Sequence, residues 1–154
     1  MESVELVRVE RRLIAAVRRR TTVGKVPSVI LPALDVVWRV VRGQGMKFGM
    51  NVAVYRSLGG DELEADFGVE VASEVASRFD DCGEVRFLET PSGMAAAMTH
   101  VGPYRGMRKT YEAISSWMRE HGYLSAGAAV EVYGHWREDE SRLETELYVL
   151  VAPR

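Results

Sequence analysis

Cysteine and histidine are scarce in this chain, which has one cysteine and three histidines in 154 residues. A single cysteine, Cys82, excludes an intramolecular disulfide and a cysteine-rich metal site. It lies in the turn-like segment 80–83, where a bystander thiol is expected. The three histidines show no metal-ligand spacing along the chain. They are His100, His121 and His135. We therefore predict no metal and no cofactor.

Long hydrophobic runs and an excess of either charge are also missing. No apolar run approaches the roughly 20 residues of a membrane span, and the amino terminus lacks a signal-peptide hydrophobic region. The net charge of −2 supplies no basic field for nucleic acid or anionic membrane. Arginines cluster between Arg8 and Arg20, where a solvated edge strand is the favoured interpretation. We predict a cytoplasmic protein that binds neither nucleic acid directly nor membrane.

The residues that are present predict a single domain, 1–154, of alternating strands and helices. Apolar residues make up 47% of the chain, enough for a substantial core. Pro32 suits the first turn of a helix that runs to about Val41. A second helix, 106–121, carries Tyr111, Ile114 and Met118 on one stripe and ends at Gly122. The expected strands are Val4–Val9 (continuing irregularly to Arg19), Met50–Tyr55, Glu64–Val71, Val85–Glu89, Met94–His100 and two more near the carboxyl end.

The order strand, helix, strand, strand occurs twice, in pseudo-repeats of about 4–75 and 85–154. The segment 52–55 matches 130–133, and 66–69 matches 146–149, each at a nearly constant offset from a Val-Gly pair. Trp38 and Trp117 occupy matching helix positions, where packing against the sheet is expected. One such unit cannot bury its own apolar face, so two units related by a pseudo-twofold axis are a natural solution. We predict an α+β fold with a largely antiparallel sheet, two helices on one face and a ligand cleft on the other.

Two carboxylate-x-tyrosine triplets lie in the last two predicted strands. They are Glu131-Val132-Tyr133 and Glu146-Leu147-Tyr148. Because side chains alternate along a strand, each acid shares a face with its tyrosine. If the strands pair as a hairpin, one sheet face is expected to carry both acids and both phenols. Like charges on adjacent strands repel, so this arrangement points to a binding site.

The two repeats differ at the positions of this expected site. Ala53 stands where the second repeat has Glu131, and Gly68 stands where it has Tyr148. We interpret the small residues of the first repeat as opening room, and the acid and phenol of the second as the functional surface. A pocket between the repeats follows as a hypothesis.

Three segments of the second repeat carry specific motifs: Val101-Gly102-Pro103-Tyr104 before the helix with Trp117, segment 129–133 and segment 144–151. With these motifs the chain resembles, over nearly its whole length, the GyrI-like effector-binding domain family. Such domains are also the ligand-sensing part of multidrug-responsive activators of the MerR and AraC types. With no helix-turn-helix segment in the chain, we expect a stand-alone member.

The resemblance implies a pocket for bulky, hydrophobic, often cationic compounds. By position, Glu131 and Glu146 are the acids that would face the ligand. Five aromatic residues are further ligand-binding candidates, with Trp136 either at a pocket rim or exposed: Tyr55, Tyr104, Tyr133, Trp136 and Tyr148. Some stand-alone members hydrolyse cyclopropane-bearing DNA alkylators, so a hydrolase in which the two acids position or activate water is the alternative function.

Other interpretations of the same residues stay open at this point. Glu131 and Glu146 could be solvated acids on an exposed sheet face. A protein-interaction role, such as modulation of a topoisomerase, is a third function. We expect a monomer or a weak homodimer.

Overall fold

The computed structural model describes residues 3–72 and 83–153, so Cys82 and the predicted bystander role of its thiol lie outside the described residues. The chain forms two compact units. The amino-terminal unit is Arg11–Thr90, and the carboxy-terminal unit combines Met1–Glu10 with Pro91–Arg154. No helix in the described part of the chain has the length and apolar character that crossing a membrane requires.

Eight strands and two α-helices occur within the described residues, which confirms the predicted α+β class. In chain order they are β1 (Glu5–Val9), β2 (Leu13–Thr22), α1 (Val26–Gly43), β3 (Phe48–Gly59), β4 (Glu62–Val71), β5 (Arg86–Glu89), β6 (Gly93–Val101), α2 (Met107–His121), β7 (Tyr123–Tyr133) and β8 (Glu144–Pro153).

Each unit has its own four antiparallel strands. Their order is β5-β2-β4-β3 in the amino-terminal unit and β1-β6-β8-β7 in the carboxy-terminal unit. Both units therefore repeat strand, helix, strand, strand, with one extra strand added at an edge. The predicted order of elements thus occurs twice, but the units differ from the predicted repeats, because β1 lies in the carboxy-terminal unit and β5 in the amino-terminal unit.

The expected continuity of the first strand is wrong. A break at residues 10–12 separates β1 from β2. The strand β1 pairs with β6 of the second repeat, where Glu5 lies opposite Ala97, whereas β2 pairs with β4 and β5. The edge strands β1 and β5 thereby cover the backbones of β6 and β2, each of which leads into a helix.

The helix α1 begins six residues before the predicted start at Pro32. Pro27 lies in its first turn, where a missing backbone N–H has no cost, and Pro32 lies inside the helix. A proline inside a helix removes one intrahelical hydrogen bond. The buried stripe of Ala33, Val37 and Val41 keeps the helix on its sheet despite that loss.

The helix α2 matches its prediction and covers one face of the carboxy-terminal sheet. Its buried residues Thr110, Ile114 and Met118 follow a four-residue spacing, and Gly122 ends it with a left-handed φ of 78°. Ile114 and Met118 pack with Ala96 and Leu147 in one core cluster. We call the sheet face that carries Ala96 and Leu147 the helix-covered face, and its opposite the reverse face.

Both helix tryptophans make packing contacts, as predicted. Trp117 packs against the core cluster under α2 and stacks on Tyr123 with ring centroids 5.7 Å apart. Trp38 donates its indole N–H to the side-chain oxygen of Asn51 at 3.0 Å and contacts the ring of Phe48 edge-on.

Candidate functional site

The register of the last hairpin decides which face each acid occupies. Glu131 lies directly opposite Leu147, and residues directly opposite each other in an antiparallel pair project from the same face. Because Leu147 is in the core under α2, Glu131 and Tyr133 belong to the helix-covered face. Glu146 lies opposite Val132 and therefore belongs to the reverse face, together with Tyr148.

The expectation that both acids and both phenols share one sheet face is therefore wrong. Each triplet keeps its own acid and phenol together, as strand alternation requires. The strands, however, pair with a one-residue offset from the register that would align Glu131 with Glu146. A shift of one residue moves a whole set of side chains to the other face.

Glu131 is the buried centre of a cluster on the helix-covered face. Its residue is only 5% exposed. The Tyr111 hydroxyl, presented by α2, donates to Oε2 at 2.6 Å, and the Tyr133 hydroxyl donates to Oε1. Both carboxylate oxygens thus accept charge-assisted hydrogen bonds, which stabilise the ionised form in a site with little water.

Tyr104 extends the cluster towards solvent. Its ring meets the Tyr133 ring edge-on, with centroids 5.8 Å apart, and the residue is 45% exposed. Partial burial raises the pKa of the Tyr104 hydroxyl above its usual value, because desolvation disfavours the phenolate. We call the set Glu131, Tyr133, Tyr111 and Tyr104 the Glu131 cluster.

Tyr111 is a member that sequence reasoning missed. The periodicity of α2 placed it on one stripe with Ile114 and Met118 and gave it no role at the site. The available signal was its hydroxyl, because a largely buried tyrosine usually has a hydrogen-bond partner for that group.

Thr145 is a second residue that the sequence did not single out. It lies opposite Tyr133 on one side and opposite His100 on the other, which puts it on the helix-covered face beside the Glu131 cluster. It is fully buried. Its Oγ1 is also the only buried side-chain polar atom in the described residues that has no hydrogen-bond partner. Such an unsatisfied hydroxyl costs free energy.

Glu146 and Tyr148 are separate from this cluster. The Tyr148 hydroxyl donates to Oε2 of the exposed Glu146 at 2.6 Å. Both residues border a shallow groove of about 400 Å³ at the β1–β6–β8 edge, which Glu5 and Thr99 also line. Glu146 therefore does not join Glu131 on one surface of this unit.

Two further candidates have other surroundings. Trp136 is 73% exposed, which agrees with the exposed alternative for this residue. Tyr55 belongs to the amino-terminal unit, where its ring lies edge-on to Phe67 at 5.9 Å.

The amino-terminal unit shows the same scaffold without the acid of the Glu131 cluster. Ala53 lies opposite Phe67 just as Glu131 lies opposite Leu147, and it is fully buried. The counterpart of Glu146 is Asp66, which is 2% exposed and is held by Arg18 and Arg56, each at 2.8 Å. Asp66 is thus a structural acid.

Gly68 does not open a pocket, contrary to the interpretation from sequence. A Cβ at this position would lie 2.2 Å from the carbonyl oxygen of Ala15. The glycine is required because the neighbouring strand β2 approaches its backbone closely.

Comparisons with known proteins found one matching family model and several structures of similar fold. A family model described as "GyrI-like small molecule binding domain" matches residues 3–152. No curated protein matches the sequence. Among solved structures, the EcmrR C-terminal domain is similar with a TM-score of 0.81 and 18% identity, over 100% of this chain and 99% of that one. The EcmrR chain of an EcmrR–DNA complex is also similar, and this chain spans 58% of its length.

Two other structures share the fold at lower similarity. SAV2435, described as bound to tetraphenylphosphonium, has a TM-score of 0.63 and 9% identity over 97% of this chain and 94% of its own. A protein described as a hydrolase encoded by lin2189 from Listeria innocua has a TM-score of 0.60 and 14% identity, over 97% and 92%. At these identities the likeness concerns the fold alone.

Proposed function

The chain belongs to the GyrI-like small-molecule-binding domain family, and we propose that it captures bulky, hydrophobic, cationic aromatic compounds at the Glu131 cluster. The observation that carries the proposal is a buried carboxylate surrounded by phenol rings. Glu131 is 5% exposed and accepts hydrogen bonds from Tyr111 and Tyr133, while Tyr104 leaves part of its ring open to solvent.

The chemistry of the cluster suits a lipophilic cation. A carboxylate in a site of low dielectric constant attracts a cation far more strongly than an exposed carboxylate does. Each ring face that contacts a desolvated cation adds about 0.5–2 kcal/mol. The phenol hydroxyls hold the carboxylate in place, so less ordering is needed when a ligand arrives.

The similarity to SAV2435 supports this ligand class. That protein is described as bound to tetraphenylphosphonium, a large aromatic cation without hydrogen-bonding groups, and it shares the fold of this chain. The fold similarity makes tetraphenylphosphonium a rational first probe.

Calorimetric titration with tetraphenylphosphonium tests the proposal. We expect the wild-type protein to bind, and Glu131→Gln to bind at least roughly 30-fold more weakly, because loss of one partner of a buried charge pair costs about 2–5 kcal/mol. Glu146→Gln is the matched control. Its carboxylate lies on the reverse face, so its affinity should stay within about twofold of wild type, a difference below 0.5 kcal/mol. Equal binding by Glu131→Gln and wild type would refute the proposal.

Hydrolysis of strained electrophilic xenobiotics is the second candidate function, favoured by the fold similarity to a Listeria innocua protein described as a hydrolase. Because Glu131 and Glu146 lie on opposite faces of this sheet, we assign the positioning of water in this alternative to Glu131 and its two phenols. A turnover assay with a cyclopropane-bearing alkylator distinguishes the two functions. Product formation beyond one equivalent, abolished by Glu131→Gln, supports hydrolysis, whereas stoichiometric capture without product supports binding.

Three further predictions from the sequence concern the location, the oligomeric state and a protein partner. A cytoplasmic location can be checked by cell fractionation, and the monomer or weak homodimer by sedimentation at several concentrations. A topoisomerase partner is tested by pull-down with the wild-type protein and with a surface-charge variant.

A further inference from the structure

His100 is a buried polar residue that the binding proposal does not use. It is 7% exposed and lies near the end of β6, on the helix-covered face. Both of its ring nitrogens have partners in the chain. Nδ1 is 2.7 Å from the Thr110 hydroxyl, and Nε2 is 2.8 Å from the carbonyl oxygen of Pro103.

The partners determine how each nitrogen acts. A carbonyl oxygen can only accept, so Nε2 carries the proton and donates to Pro103. In the neutral ring Nδ1 then accepts from the Thr110 hydroxyl. His100 therefore connects two segments through specific hydrogen bonds, one to the loop before α2 and one to the first turns of α2.

In each segment, the residue that directly follows the partner of His100 belongs to the Glu131 cluster. Pro103 directly precedes Tyr104, whose ring packs edge-on against Tyr133. Thr110 directly precedes Tyr111, whose hydroxyl donates to Glu131. The His100 imidazole thus bonds to the residue that precedes each of two tyrosines of the cluster.

Other contacts hold the same loop. The Gly106 N–H donates to the Pro103 carbonyl oxygen at 3.0 Å, and Arg105 pairs with Glu140 at 3.0 Å. The Gly102 N–H donates to the carbonyl oxygen of Leu143 at 2.8 Å, and Gly106 lies against the imidazole, where an added Cβ would be 3.3 Å from Cε1. The imidazole thus fills the space beneath the turn that presents Tyr104.

The internal repeat provides an independent comparison. In the amino-terminal unit the residue before the matching Val-Gly pair is Thr22, and that unit has Ala53 in place of Glu131. A threonine cannot bridge a loop and a helix as an imidazole does. Histidine and acid therefore occur together in one repeat and are both replaced in the other.

We propose that His100 is a positioning residue for the ligand site, which sets the placement of Tyr104 and Tyr111 around Glu131. The inference rests on the proposed binding function of the Glu131 cluster. It predicts that His100 acts on ligand affinity through these two tyrosines and not only through the stability of the unit.

Two substitutions separate the two links of the imidazole. In His100→Asn the amide oxygen stands near the position of Nδ1, so the link to Thr110 is retained and the donor to Pro103 is lost. In His100→Gln the amide nitrogen stands near the position of Nε2, so the loop link is retained. The substitution Thr110→Val removes only the link to α2.

Affinity for tetraphenylphosphonium is measured for these variants alone and in Tyr104→Ala or Tyr111→Phe backgrounds, with thermal unfolding of the ligand-free proteins alongside. We expect His100→Asn to weaken binding by about threefold to tenfold, the usual effect of one hydrogen bond. This loss should shrink to below about twofold in the Tyr104→Ala background, because the effects of two residues are not additive when one acts through the other. The loss of affinity from Thr110→Val should shrink in the same way in the Tyr111→Phe background. His100→Gln, which retains the loop link, should regain the part of the affinity that depends on Tyr104.

The outcomes distinguish the inference from the function on which it rests. If the wild-type protein binds and Glu131→Gln does not, but the losses from His100→Asn and Thr110→Val persist unchanged in the tyrosine backgrounds, His100 is structural only and the inference is wrong. If His100→Asn does not fold, Thr110→Val and its cycle with Tyr111→Phe decide alone. Absence of binding by the wild-type protein overturns the proposed function itself.

Discussion

The Tyr111 hydroxyl donates to Glu131 Oε2 at 2.6 Å, a contact that joins α2 to the strand β7 beneath it. The strand supplies the acid and the helix supplies one of its two phenol donors. The charge of the candidate site is therefore held by the same helix that closes the core through Ile114 and Met118. Perturbation of this hydrogen bond should affect stability as well as binding.

The substitution Tyr111→Phe should destabilise the protein by about 1.5–3 kcal/mol, the range for a hydrogen bond to a charged group. Urea unfolding measures the change. Tyr148→Phe is the matched control, because it removes the hydroxyl that donates to the exposed Glu146. Its effect should stay within about 0.5 kcal/mol. Equal losses in the two variants would contradict the structural role of the Glu131 cluster.

The substitution Thr145→Val should leave stability unchanged or raise it by about 1 kcal/mol, since it removes a buried hydroxyl that lacks a partner. The same chemical change at Thr110, whose hydroxyl bonds to His100 at 2.7 Å, should instead destabilise by about 0.5–1.5 kcal/mol. Chemical denaturation of both variants provides the comparison. A loss at Thr145 as large as that at Thr110 would show that the Thr145 hydroxyl has a partner in solution.

Replacement of Gly68 by alanine should destabilise the amino-terminal unit severely, by about 3 kcal/mol or more, because the new Cβ overlaps the Ala15 carbonyl oxygen. Gly24→Ala is the control, since nothing lies within 4 Å of a Cβ there and its φ is not positive. That variant should unfold at nearly the wild-type temperature. Tolerance of Gly68→Ala would show that β2 does not press against this position.

Stability should fall at alkaline pH partly through Tyr104. Burial raises the pKa of its hydroxyl in the folded state, so the unfolded chain releases this proton first. The contribution is complete below the unfolded value near 10 and is lost as pH rises through the folded pKa. Wild type should therefore lose more unfolding free energy between about pH 9 and 11 than Tyr104→Phe. Parallel pH profiles of the two proteins would refute the assignment.

Local patterns predicted much of this fold. The helix α2 and its end at Gly122 follow from apolar spacing and one glycine. The internal match also held at the level of strand pairing, because Ala53 lies opposite Phe67 as Glu131 lies opposite Leu147. These features depend on residues close together in sequence or on direct similarity between the repeats.

The features that the sequence did not predict depend on contacts between distant segments. The face of Glu146 follows from the register of the last hairpin, which strand alternation alone leaves undetermined. The partners of His100 and the tight packing at Gly68 become evident only when separate strands and helices lie side by side. The sequence thus singled out Glu131, Tyr104 and Tyr133 as candidates, and it indicated neither the part of Tyr111 nor the division of the two triplets between opposite faces.

The pairing of β1 with β6 has a consequence for how the chain folds. Glu5 pairs with Ala97, although the whole amino-terminal unit lies between them in sequence. During synthesis, β1 leaves the ribosome long before β6, whereas the four described strands of Arg11–Thr90 pair within that unit. Such a long-range closure slows folding, because the entropy of the intervening loop is lost before the contact forms. We therefore expect the carboxy-terminal unit, with the Glu131 cluster, to be completed last.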